Sequence, residues 1–551
     1  MGLLLLVLAL VVFVGLGNRP YAVPSEARYI EIPRQMAETG DWVTPRLNGI
    51  KYFEKPPLFY WVQAAQIEVF GLGEFSGRFW TALLTIAISL ISYATTRAIY
   101  GRLEGIFCAL ILGTSVLGFA CSRIVLLDVP VTLFLISSLF AFMAAVRIPS
   151  CHKRDLLLLT MYVCAALATL TKGLIGILIP AMVIGSWIAI TGQWKLLLNV
   201  RLIPGLLLFL LIVVPWHILA GNETPEFYNF YLIHEHFERF LTKQHGRYHP
   251  AWFFIPVLLV GLLPWTAFLY QAARAEFRHT WKERRSDTTN LFLLLWILLP
   301  FTFFSLSDSK LIPYILPIFP PIAIIIARFL ATAWRQGNAP FYRAGLWGFV
   351  VILGLLACAY PVLLVIGEPA SKIFKTIPTE AMLLSVLFAI QALTLGILTV
   401  RQAAAHTTIK LLFAFTMIML MSINHAAPNA STRSALDSAK PFAQYLKPIL
   451  KEGDEVAVLN HYYQDLPVYL ERNVTVVNAF GELTFGMSIE EKTKQWMINE
   501  IEMGKRWQQG SHRIFILSRH TDYNALSHLL GSRRYVLMDN GFNLLVSNQP
   551  Q

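Results

Sequence analysis

Long apolar segments alternate with short polar connections along most of this chain. A helix that spans a membrane needs about 20 mostly apolar residues. By that measure the pattern predicts thirteen spans, at residues 1–17, 77–99, 104–121, 130–147, 155–171, 173–191, 202–220, 251–272, 289–306, 311–333, 345–366, 378–400 and 409–424. No convincing small-residue cleavage site follows the first segment, so we interpret it as a retained signal-anchor helix.

One connection, residues 18–76, is unusually long and polar. Within it, Ser25 is placed to cap a helix over residues 25–40, which Pro33 should kink or split. A second helix is predicted over residues 58–70, directly after two prolines. We expect both helices to lie in the membrane interface. Two membrane helices do not require so long and acidic a connection, so the insert is predicted to carry part of an active site.

The composition changes after the last span to that of an ordinary soluble domain. We therefore predict a membrane domain at 1–426, which includes the insert, and a soluble α/β domain at 427–551. Its predicted strands are residues 455–460, 474–479, 513–518 and 542–547, and its helices lie near 490–508 and 521–530. A buried parallel sheet is the expected arrangement. The domain has no glycine-rich phosphate loop and no nucleophile elbow, so its predicted role is to cover or support the outer face.

Composition agrees with a polytopic α-helical membrane protein. The chain is 56% hydrophobic and 14% charged, whereas soluble proteins are about 25% charged. The net charge of +12 could indicate a nucleic-acid partner, but the basic residues concentrate in alternate short loops. By the positive-inside rule those loops are cytoplasmic, and the insert and the C-terminal domain lie outside. The five cysteines form no CxxC pair, which argues against a disulfide scaffold or a zinc finger.

The remaining ionisable residues collect on the outer side of this map, where a polar lipid head group would lie. They are Glu26, Arg28, Glu54, Lys55, Arg78, Arg123, Asp128, Lys172, Glu235, His236, Arg239, Asp308 and Lys310. Ionisable groups at membrane depth are costly and commonly mark function.

Each candidate also has a structural interpretation. Asp128 could be an ordinary helix-start carboxylate before a proline, and Glu54 could pair with Lys55 on the surface. His236 could be an interfacial histidine, although Glu235 and Glu54 make a zinc site conceivable.

The outer cations are likewise open to two interpretations. Lys172, Arg239 and Lys310 could be interfacial anchors that extend to the head groups. Several cations on the outer side run against the positive-inside bias, however, and they would suit a lipid-linked phosphate.

Several short motifs match one family. They are Glu26-Ala-Arg-Tyr29, Gly40-Asp-Trp42, Pro45-Arg-Leu-Asn-Gly49, Tyr52-Phe-Glu-Lys-Pro56, Leu127-Asp128, Thr171-Lys-Gly173, Glu235-His236, Arg239-Phe240, Leu263-Pro-Trp265, Lys310-Leu311 and Tyr314-Ile-Leu316. In these residues the chain resembles the lipid A aminoarabinose transferases, membrane glycosyltransferases of the GT-C fold that are related to protein O-mannosyltransferases. The resemblance covers essentially the whole membrane part, and the Tyr-Phe-Glu-Lys-Pro run is its most specific motif.

The resemblance implies a reaction and its partners. It implies transfer of 4-amino-4-deoxy-L-arabinose from undecaprenyl phosphate to the phosphates of lipid A in lipopolysaccharide. The expected location is the periplasmic face of a Gram-negative inner membrane, where the product gives resistance to polymyxin and other cationic peptides. We expect a monomer, with no nucleotide cofactor and no nucleic-acid partner.

The resemblance also implies residue roles. Asp128 would be a catalytic carboxylate, with Glu26 as a second candidate. Glu54 and His236 would hold a divalent metal, zinc in the family. By the resemblance, the donor phosphate would contact Lys55, Arg239 and Tyr314. Further candidates for contact with the substrate or the donor phosphate are Lys172, Lys310 and Tyr29.

One position departs from the family pattern, which usually has Asp-Glu where this chain has Ser25-Glu26. Serine is not a carboxylate, so either Glu26 serves alone, or this acid matters less here, or the acceptor differs. Another polyprenyl-phosphate sugar or a protein hydroxyl acceptor therefore stays an alternative. A lipid-linked sugar flippase is a rival of another class, but the chain shows no internal repeat and no charged midplane.

Overall fold

The chain folds into two units, and neither is continuous in sequence. The computed structural model describes residues 2–238, 248–277, 287–337, 341–366, 378–430, 438–510, 512–522, 528, 530–531 and 534–550. The first unit comprises Met1–Leu16 and Arg78–Ala430, and the second comprises Gly17–Gly77 and Ser431–Gln551. The sequence analysis assigned the insert to the membrane domain, whereas the structure groups it with the C-terminal region.

Every predicted span coincides with helical structure in the first unit. Within the described part of the chain, nine helices are long and apolar enough to cross a membrane. They are Glu74–Tyr100, Asp128–Ala145, His152–Lys172, Leu202–Glu223, Thr288–Leu306, Phe319–Gln336 with the preceding 3-10 turn Ile312–Ile318, Tyr342–Ile366, Pro378–Val400 and Ala405–Ala430.

The other four predicted spans differ from single straight helices. Arg102–Thr114 and Val116–Ser122 meet at 63°, and Ala251–Gly261 and Trp265–Glu276 meet at 101°. Gly2–Phe13 and Ile175–Thr191 are shorter apolar helices. Among the described residues the structure thus supports nine spans, or up to eleven if each bent pair is one, and the predicted count of thirteen is not confirmed.

The first bend has a local cause. Ser115 is extended, with φ −72° and ψ 141°, and its hydroxyl accepts a hydrogen bond from the Gly118 amide at 3.3 Å. The serine therefore ends one helix and caps the next. Hydropathy does not report this bend, because both halves are equally apolar.

Two helices lie inside the first unit. Asp128–Ala145 and the span Ile312–Gln336 are each 83% buried over their apolar window. Trp296 packs against Phe140 with ring centroids 4.9 Å apart and donates its indole N–H to the Pro317 carbonyl at 3.0 Å. These central helices are apolar on most sides because protein rather than lipid surrounds them.

Two buried arginines hold the end of the first helix, Gly2–Phe13. Arg123 donates to the carbonyls of Val12 at 3.0 Å and Val14 at 2.7 Å, and Arg78 donates to the Leu16 carbonyl at 3.2 Å. Carbonyls at a helix C-terminus lack partners within the helix, so cations stabilise them. Arg78 and Arg123, two of the outer ionisable residues, thus have a structural role here.

The C-terminal region of the second unit contains a six-stranded sheet. After the short hairpin β1 (Arg46–Leu47) and β2 (Ile50–Lys51), its strands are β3 (Glu455–Leu459), β4 (Thr475–Val477), β5 (Met497–Ile498), β6 (Ile514–Arg519), β7 (Tyr535–Asp539) and β8 (Asn543–Ser547). The order is β5-β4-β3-β6-β8-β7. Strands β3 to β6 are parallel, as predicted, whereas β7 and β8 pair antiparallel.

The differences from the predicted domain have simple reasons. The strand predicted at 542–547 is antiparallel because it follows β7 through a tight turn at Gly541, where φ is +79°. Strand β5 is too short for a periodicity signal and interrupts the predicted helix at 490–508, of which Glu500–Gln509 remains helical. The other described helices of this region are Lys440–Leu446, Asp465–Leu470 and Thr484–Ile489. The helix predicted at 521–530 lies mostly outside the described residues.

The insert forms both predicted helices, Ser25–Thr39 and Leu58–Phe70. Pro24, rather than Ser25, occupies the N-cap, and Pro33 lies inside the first helix without ending it. Ile32 and Tyr60, from the two helices, share a buried apolar core with Phe442 and Leu466 of the C-terminal region. These faces are therefore buried in the second unit rather than forming free amphipathic surfaces.

Hydrogen bonds tie the insert to the C-terminal region. The Asn48 amide donates to the Val474 carbonyl and accepts from its N–H, both at 2.9 Å. Arg46 pairs with Glu490 at 2.9 Å. Because these partners are more than 400 residues apart in sequence, no local pattern predicts their association.

Candidate active site

Asp128, Lys172 and Tyr314 form a charged cluster in the first unit. Asp128 is the first residue of the helix Asp128–Ala145, and Lys172 is the last residue of the adjacent helix His152–Lys172. Because a short connection makes these helices antiparallel, the two ends meet, and the Lys172 ammonium donates to the Asp128 carboxylate. Both side chains are about nine-tenths buried.

Tyr314 completes this cluster. The Lys172 ammonium lies 4.2 Å from the centroid of the Tyr314 ring, a cation–π contact. Tyr314 belongs to the 3-10 turn Ile312–Ile318, and its ring also packs against Phe304 at 5.5 Å. The structure thus brings together three residues that the sequence analysis named separately, with a carboxylate, an ammonium and a phenol at one place.

Lys310, another predicted contact of the substrate, is held by the backbone. Its ammonium donates to the His249 carbonyl at 2.8 Å and to the Ser307 carbonyl. Burial lowers the pKa of Lys310, while the charge of Asp308 acts in the opposite direction. These contacts favour a role in fixing the loop, and a contact with substrate stays a prediction.

The predicted residues of the insert lie in the second unit. The Lys55 ammonium donates to the Glu54 backbone carbonyl at 2.6 Å, and both side chains are half-buried. Tyr29 packs against the rings of Phe59 and Tyr60, with centroids 6.2 Å and 6.1 Å away.

Glu26 occupies a structural position. Its fully buried carboxylate accepts from the Arg19 guanidinium at 2.7 Å and from the Ala22 N–H at 2.9 Å. Both contacts fix the start of the helix Ser25–Thr39. A catalytic role for Glu26 stays a prediction, and these contacts favour a structural one.

A second group of polar residues surrounds Arg28, and we call it the Arg28 cluster. Its members are Arg28, Tyr52, Glu54, Tyr60, Tyr462 and Glu482, which act on one another electrostatically. Arg28 pairs with Glu482 at 2.5 Å, and both side chains are largely buried. Burial raises the pKa of Glu482, although Arg28 opposes the shift. Burial likewise raises the pKa of Tyr52 and of Tyr60, so their phenols stay protonated at neutral pH.

The Arg28 cluster has polar atoms without partners. Among the described residues, Nε of Arg28 and the hydroxyls of Tyr60 and Tyr462 are buried and make no hydrogen bond. Such atoms destabilise a fold unless a ligand or water satisfies them. The cluster therefore contains polar groups that a polar ligand would satisfy.

Sequence reasoning found this cluster only in part. Arg28 and Tyr52 lie inside the quoted motifs, but no role was assigned to either. Glu482 lies in the domain to which no chemistry was given. Its sequence context contains no signal, because its partner Arg28 comes from the insert.

The predicted metal ligands are only partly described. His236 lies in a π-helix, Asn229–Glu238, but its side chain and all of Arg239 lie outside the described residues. The neighbouring Glu235 is buried, and His234 lies 3.6 Å from its carboxylate. Within the described part of the chain, no group of three His, Cys, Asp or Glu residues could hold a metal ion. The described residues therefore do not show a complete set of metal ligands.

Comparison with known proteins identifies the class. Residues 3–231 match the family model of dolichyl-phosphate-mannose-protein mannosyltransferase, and residues 442–548 match that of the aminoarabinose transferase C-terminal domain. The structure is similar to the crystal structure of ArnT from Cupriavidus metallidurans bound to undecaprenyl phosphate, with a TM-score of 0.87 and 27% identity. The match covers 100% of this chain and 99% of the other. The chain is therefore a multi-pass membrane glycosyltransferase of the GT-C fold.

Curated relatives identify the family. An undecaprenyl phosphate-alpha-4-amino-4-deoxy-L-arabinose arabinosyl transferase of Pseudomonas aeruginosa (strain UCBPP-PA14) is 30% identical over 507 residues, which is 90% of this chain and 88% of the relative. Arabinosyl transferase 2 of Sodalis glossinidius is 27% identical over 525 residues, 93% of this chain and 92% of that protein. The chain belongs to this arabinosyl transferase family, which confirms the predicted fold class and the family resemblance.

Proposed function

We propose that this protein transfers 4-amino-4-deoxy-L-arabinose from undecaprenyl phosphate to phosphate groups of lipid A. The observation that carries the proposal is the full-length match to a transferase structure that holds undecaprenyl phosphate. The transfer would mask negative charge on lipopolysaccharide and give resistance to polymyxin and other cationic peptides. The proposed setting is the periplasmic face of a Gram-negative inner membrane, and the proposed working unit is a monomer without a nucleotide cofactor.

The distribution of basic residues supports this orientation. Loops such as 146–154 and 192–201 carry lysine and arginine, and they join the ends of spans opposite to Asp128 and Lys172. The positive-inside rule places such loops in the cytoplasm. The cluster of Asp128, Lys172 and Tyr314 would then face the periplasmic side.

The reaction is a single displacement at the anomeric carbon of the sugar. An oxygen of the lipid A phosphate forms the new bond to that carbon, and the bond from the carbon to the undecaprenyl phosphate oxygen breaks with its electron pair on the leaving phosphate. Because the acceptor oxygen is already anionic, a strong general base is not needed. The main requirement is to stabilise the charge that develops on the leaving phosphate.

The charged cluster of the first unit suits this requirement. The Lys172 ammonium is held by Asp128 and by the Tyr314 ring, so it is preorganised rather than freely mobile. We assign donor-phosphate contacts to Lys172 and the Tyr314 hydroxyl, with Lys55 and Arg239 as further candidates. Asp128 orients Lys172 and supplies negative charge to the cationic aminosugar, and it would serve as the base if the acceptor were a hydroxyl.

The Arg28 cluster supplies groups suited to a hydroxylated sugar. The hydroxyls of Tyr60 and Tyr462, which make no hydrogen bond among the described residues, can bond sugar hydroxyls. We therefore propose that this cluster binds sugar hydroxyl groups.

A divalent metal, zinc by resemblance, is a separate proposal. Glu54 and His236 would hold it, and when bound it would act as a Lewis acid toward phosphate oxygens. The roles proposed for Asp128, Lys172 and Tyr314 do not depend on this metal.

Mass spectrometry of the lipid product tests the proposed reaction. Purified full-length protein is incubated with lipid A and undecaprenyl-phosphate aminoarabinose, alongside Asp128→Ala and Glu54→Ala. We expect lipid A to gain the mass of one or two aminopentose residues with the wild type, and much less with either variant. No mass increase with the wild type would refute the proposed donor and acceptor pair.

A second candidate is a protein hydroxyl acceptor with another polyprenyl-phosphate sugar. The match of residues 3–231 to the mannosyltransferase family model favours it. The same protein, given a polyprenyl-phosphate mannose donor and a serine- and threonine-rich peptide, would then glycosylate the peptide. We expect no peptide product, because mannose lacks the ammonium that Asp128 would bind.

A further inference from the structure

A polar cavity lies at the far end of the helix that begins with Asp128. The helix Asp128–Ala145 has 18 residues, and at 1.5 Å per residue it places the cavity roughly 27 Å from Asp128. The cavity has a volume of about 140 Å³. Its polar wall consists of Arg147, Gln193, Thr288 and Thr289.

Each side chain of the polar wall can donate hydrogen bonds, and one of them, Arg147, is a cation. Arg147 donates to the Thr289 hydroxyl at 2.9 Å, which fixes the guanidinium at the wall and leaves other N–H groups for a ligand. None of the described residues that line the cavity is acidic. The nearby Asp287 carboxylate accepts from the backbone and side-chain amides of Asn290, at 3.1 Å and 2.6 Å. The wall therefore favours an anionic ligand.

The base of the cavity is aromatic and preformed. The Trp187 indole N–H donates to the Thr288 carbonyl at 2.7 Å. The rings of Phe142 and Phe292 stack with centroids 5.7 Å apart, and Trp187 meets Phe142 edge-on at 5.6 Å. These contacts fix the aromatic side chains at the base of the cavity.

Neighbouring residues place the cavity at the level of lipid head groups. Trp194, next to Gln193, is 59% exposed, and Leu198 is 88% exposed on the same short segment. Exposed tryptophan beside apolar side chains is typical of the membrane–water interface. Lysine and arginine of the adjoining loops, such as Lys195 and Arg154, lie at the same ends of the spans. In the proposed orientation this is the cytoplasmic interface.

We infer that this cavity binds the phosphate head group of an anionic phospholipid. The phosphodiester would pair with Arg147 and accept from the threonine hydroxyls and the Gln193 amide. The acyl chains would remain in the bilayer, beside exposed apolar residues such as Leu198. A bound lipid would stabilise the junction of the helices Asp128–Ala145, Ile175–Thr191 and Thr288–Leu306. The inference does not depend on the transfer reaction.

Native mass spectrometry of the full-length protein tests this inference. Delipidated protein in detergent is titrated with phosphatidylglycerol, with phosphatidylethanolamine, or with inorganic phosphate. We expect one phosphatidylglycerol to bind in preference to the zwitterionic lipid. Arg147→Gln and Thr289→Val should each weaken its binding about tenfold or more, because each removes a hydrogen bond to a charged group.

The matched control is Arg97→Gln, which removes the same charge from an exposed position at the end of Glu74–Tyr100 that does not line the cavity. It should leave lipid binding unchanged, and melting without added lipid checks that every variant is folded. Equal binding by the wild type, Arg147→Gln and Thr289→Val would overturn the inference. An equal loss of lipid binding in Arg97→Gln would also overturn the inference, since binding would then depend only on the net charge of the protein. If millimolar inorganic phosphate displaced the lipid, the cavity would be a site for free phosphate, and the inference of a phospholipid would be overturned.

Discussion

The Lys172 ammonium pairs with the Asp128 carboxylate, 44 residues earlier in the chain. Asp128 begins its helix and Lys172 ends the neighbouring one. Each charge therefore interacts favourably with the dipole of its own helix. Removing either residue leaves the other charge unpaired and nearly buried, which links the two in any functional test.

Replacement of this pair should reduce sugar transfer. We expect Asp128→Asn and Lys172→Met each to lower kcat by about 100-fold or more, a typical effect of removing a catalytic or preorganised charge. The double variant should be far more active than the product of the two effects implies, since both changes remove one shared interaction. Initial rates of lipid A modification measure this, with Lys195→Met, at an exposed lysine, as the control. Independent, multiplicative effects would show that the pair does not act as a unit.

The Tyr314 hydroxyl and ring have separable roles. Tyr314→Phe keeps the ring against Lys172 but removes the hydroxyl proposed to contact the donor phosphate. We expect the KM for the donor to rise about tenfold, the effect of one hydrogen bond to a charged group, with kcat little changed. Tyr314→Leu removes the ring as well and should also lower kcat. If Tyr314→Phe has wild-type kinetics, the hydroxyl does not contact the donor.

The sequence was sufficient to predict the individual residues of this cluster but not their contacts. Asp128, Lys172 and Tyr314 were found from their place on the outer side and from family motifs. The short connection between the helices Asp128–Ala145 and His152–Lys172 already implied antiparallel neighbours, so this pair could have been inferred. The contact of Lys172 with Tyr314 could not have been inferred from the sequence, because it depends on how the turn Ile312–Ile318 packs.

The fold, like the site, could be predicted from the sequence only in part. Hydropathy located each of the nine long apolar helices found among the described residues, because bilayer thickness fixes a minimum apolar length. It missed the bend at Ser115, which comes from one extended residue, and the bend between Ala251–Gly261 and Trp265–Glu276. It also counted two shorter apolar helices, Gly2–Phe13 and Ile175–Thr191, as full spans. It also missed the association of the insert with the C-terminal region, which rests on pairs such as Asn48 with Val474. Hydrogen bonds between such distant residues leave no periodic trace in the sequence.

The unpaired Tyr60 hydroxyl distinguishes binding from stability. Tyr60→Phe removes a buried polar atom that has no partner among the described residues, so the melting temperature should stay the same or rise. If the hydroxyl binds the aminosugar, the KM for the donor should rise about tenfold.

Tyr463→Phe is the matched control for this change. The Tyr463 hydroxyl donates to the Asn543 side chain at 2.6 Å inside the C-terminal region. Its loss should cost about 1 kcal/mol of stability and leave the KM unchanged. A destabilised Tyr60→Phe variant with normal kinetics would contradict the proposed pocket.

The proposed metal makes a prediction independent of activity. Wild-type protein purified without chelator should contain about one zinc per chain, and Glu54→Gln and His236→Ala should each lose most of it, because few ligands support the ion. Inductively coupled plasma mass spectrometry measures the content. Glu226→Gln, at an exposed acid shortly before the π-helix, should retain the metal. Equal zinc in all four proteins would exclude Glu54 and His236 as ligands.

The ion pair of Asp454 with Arg513 should make the C-terminal sheet sensitive to acid. Arg513 donates to the Asp454 carboxylate through Nε at 3.2 Å and through a terminal nitrogen at 2.5 Å, and the Lys451 N–H donates to it at 2.7 Å. Burial alone would raise the pKa of Asp454, but these hydrogen bonds outweigh burial and the net shift is downward from 3.8. A carboxyl whose pKa is lower in the folded state contributes stability above its unfolded value, and that stability is lost as the pH falls through the folded value.

Asp454→Asn should therefore destabilise the sheet at pH 7 by about 2 kcal/mol, the cost of leaving Arg513 without its charged partner. The difference from the wild type should shrink as the pH falls below 3.8. Hydrogen-exchange protection of the β6 amides, corrected for the intrinsic pH dependence of exchange, measures both effects. Glu471→Gln removes a carboxylate from the exposed pair with Lys447 and should change protection by less than about 0.5 kcal/mol. If Asp454→Asn loses the same amount of protection at pH 7 and at pH 3, the stabilising effect of Asp454 comes from its shape and not from its charge.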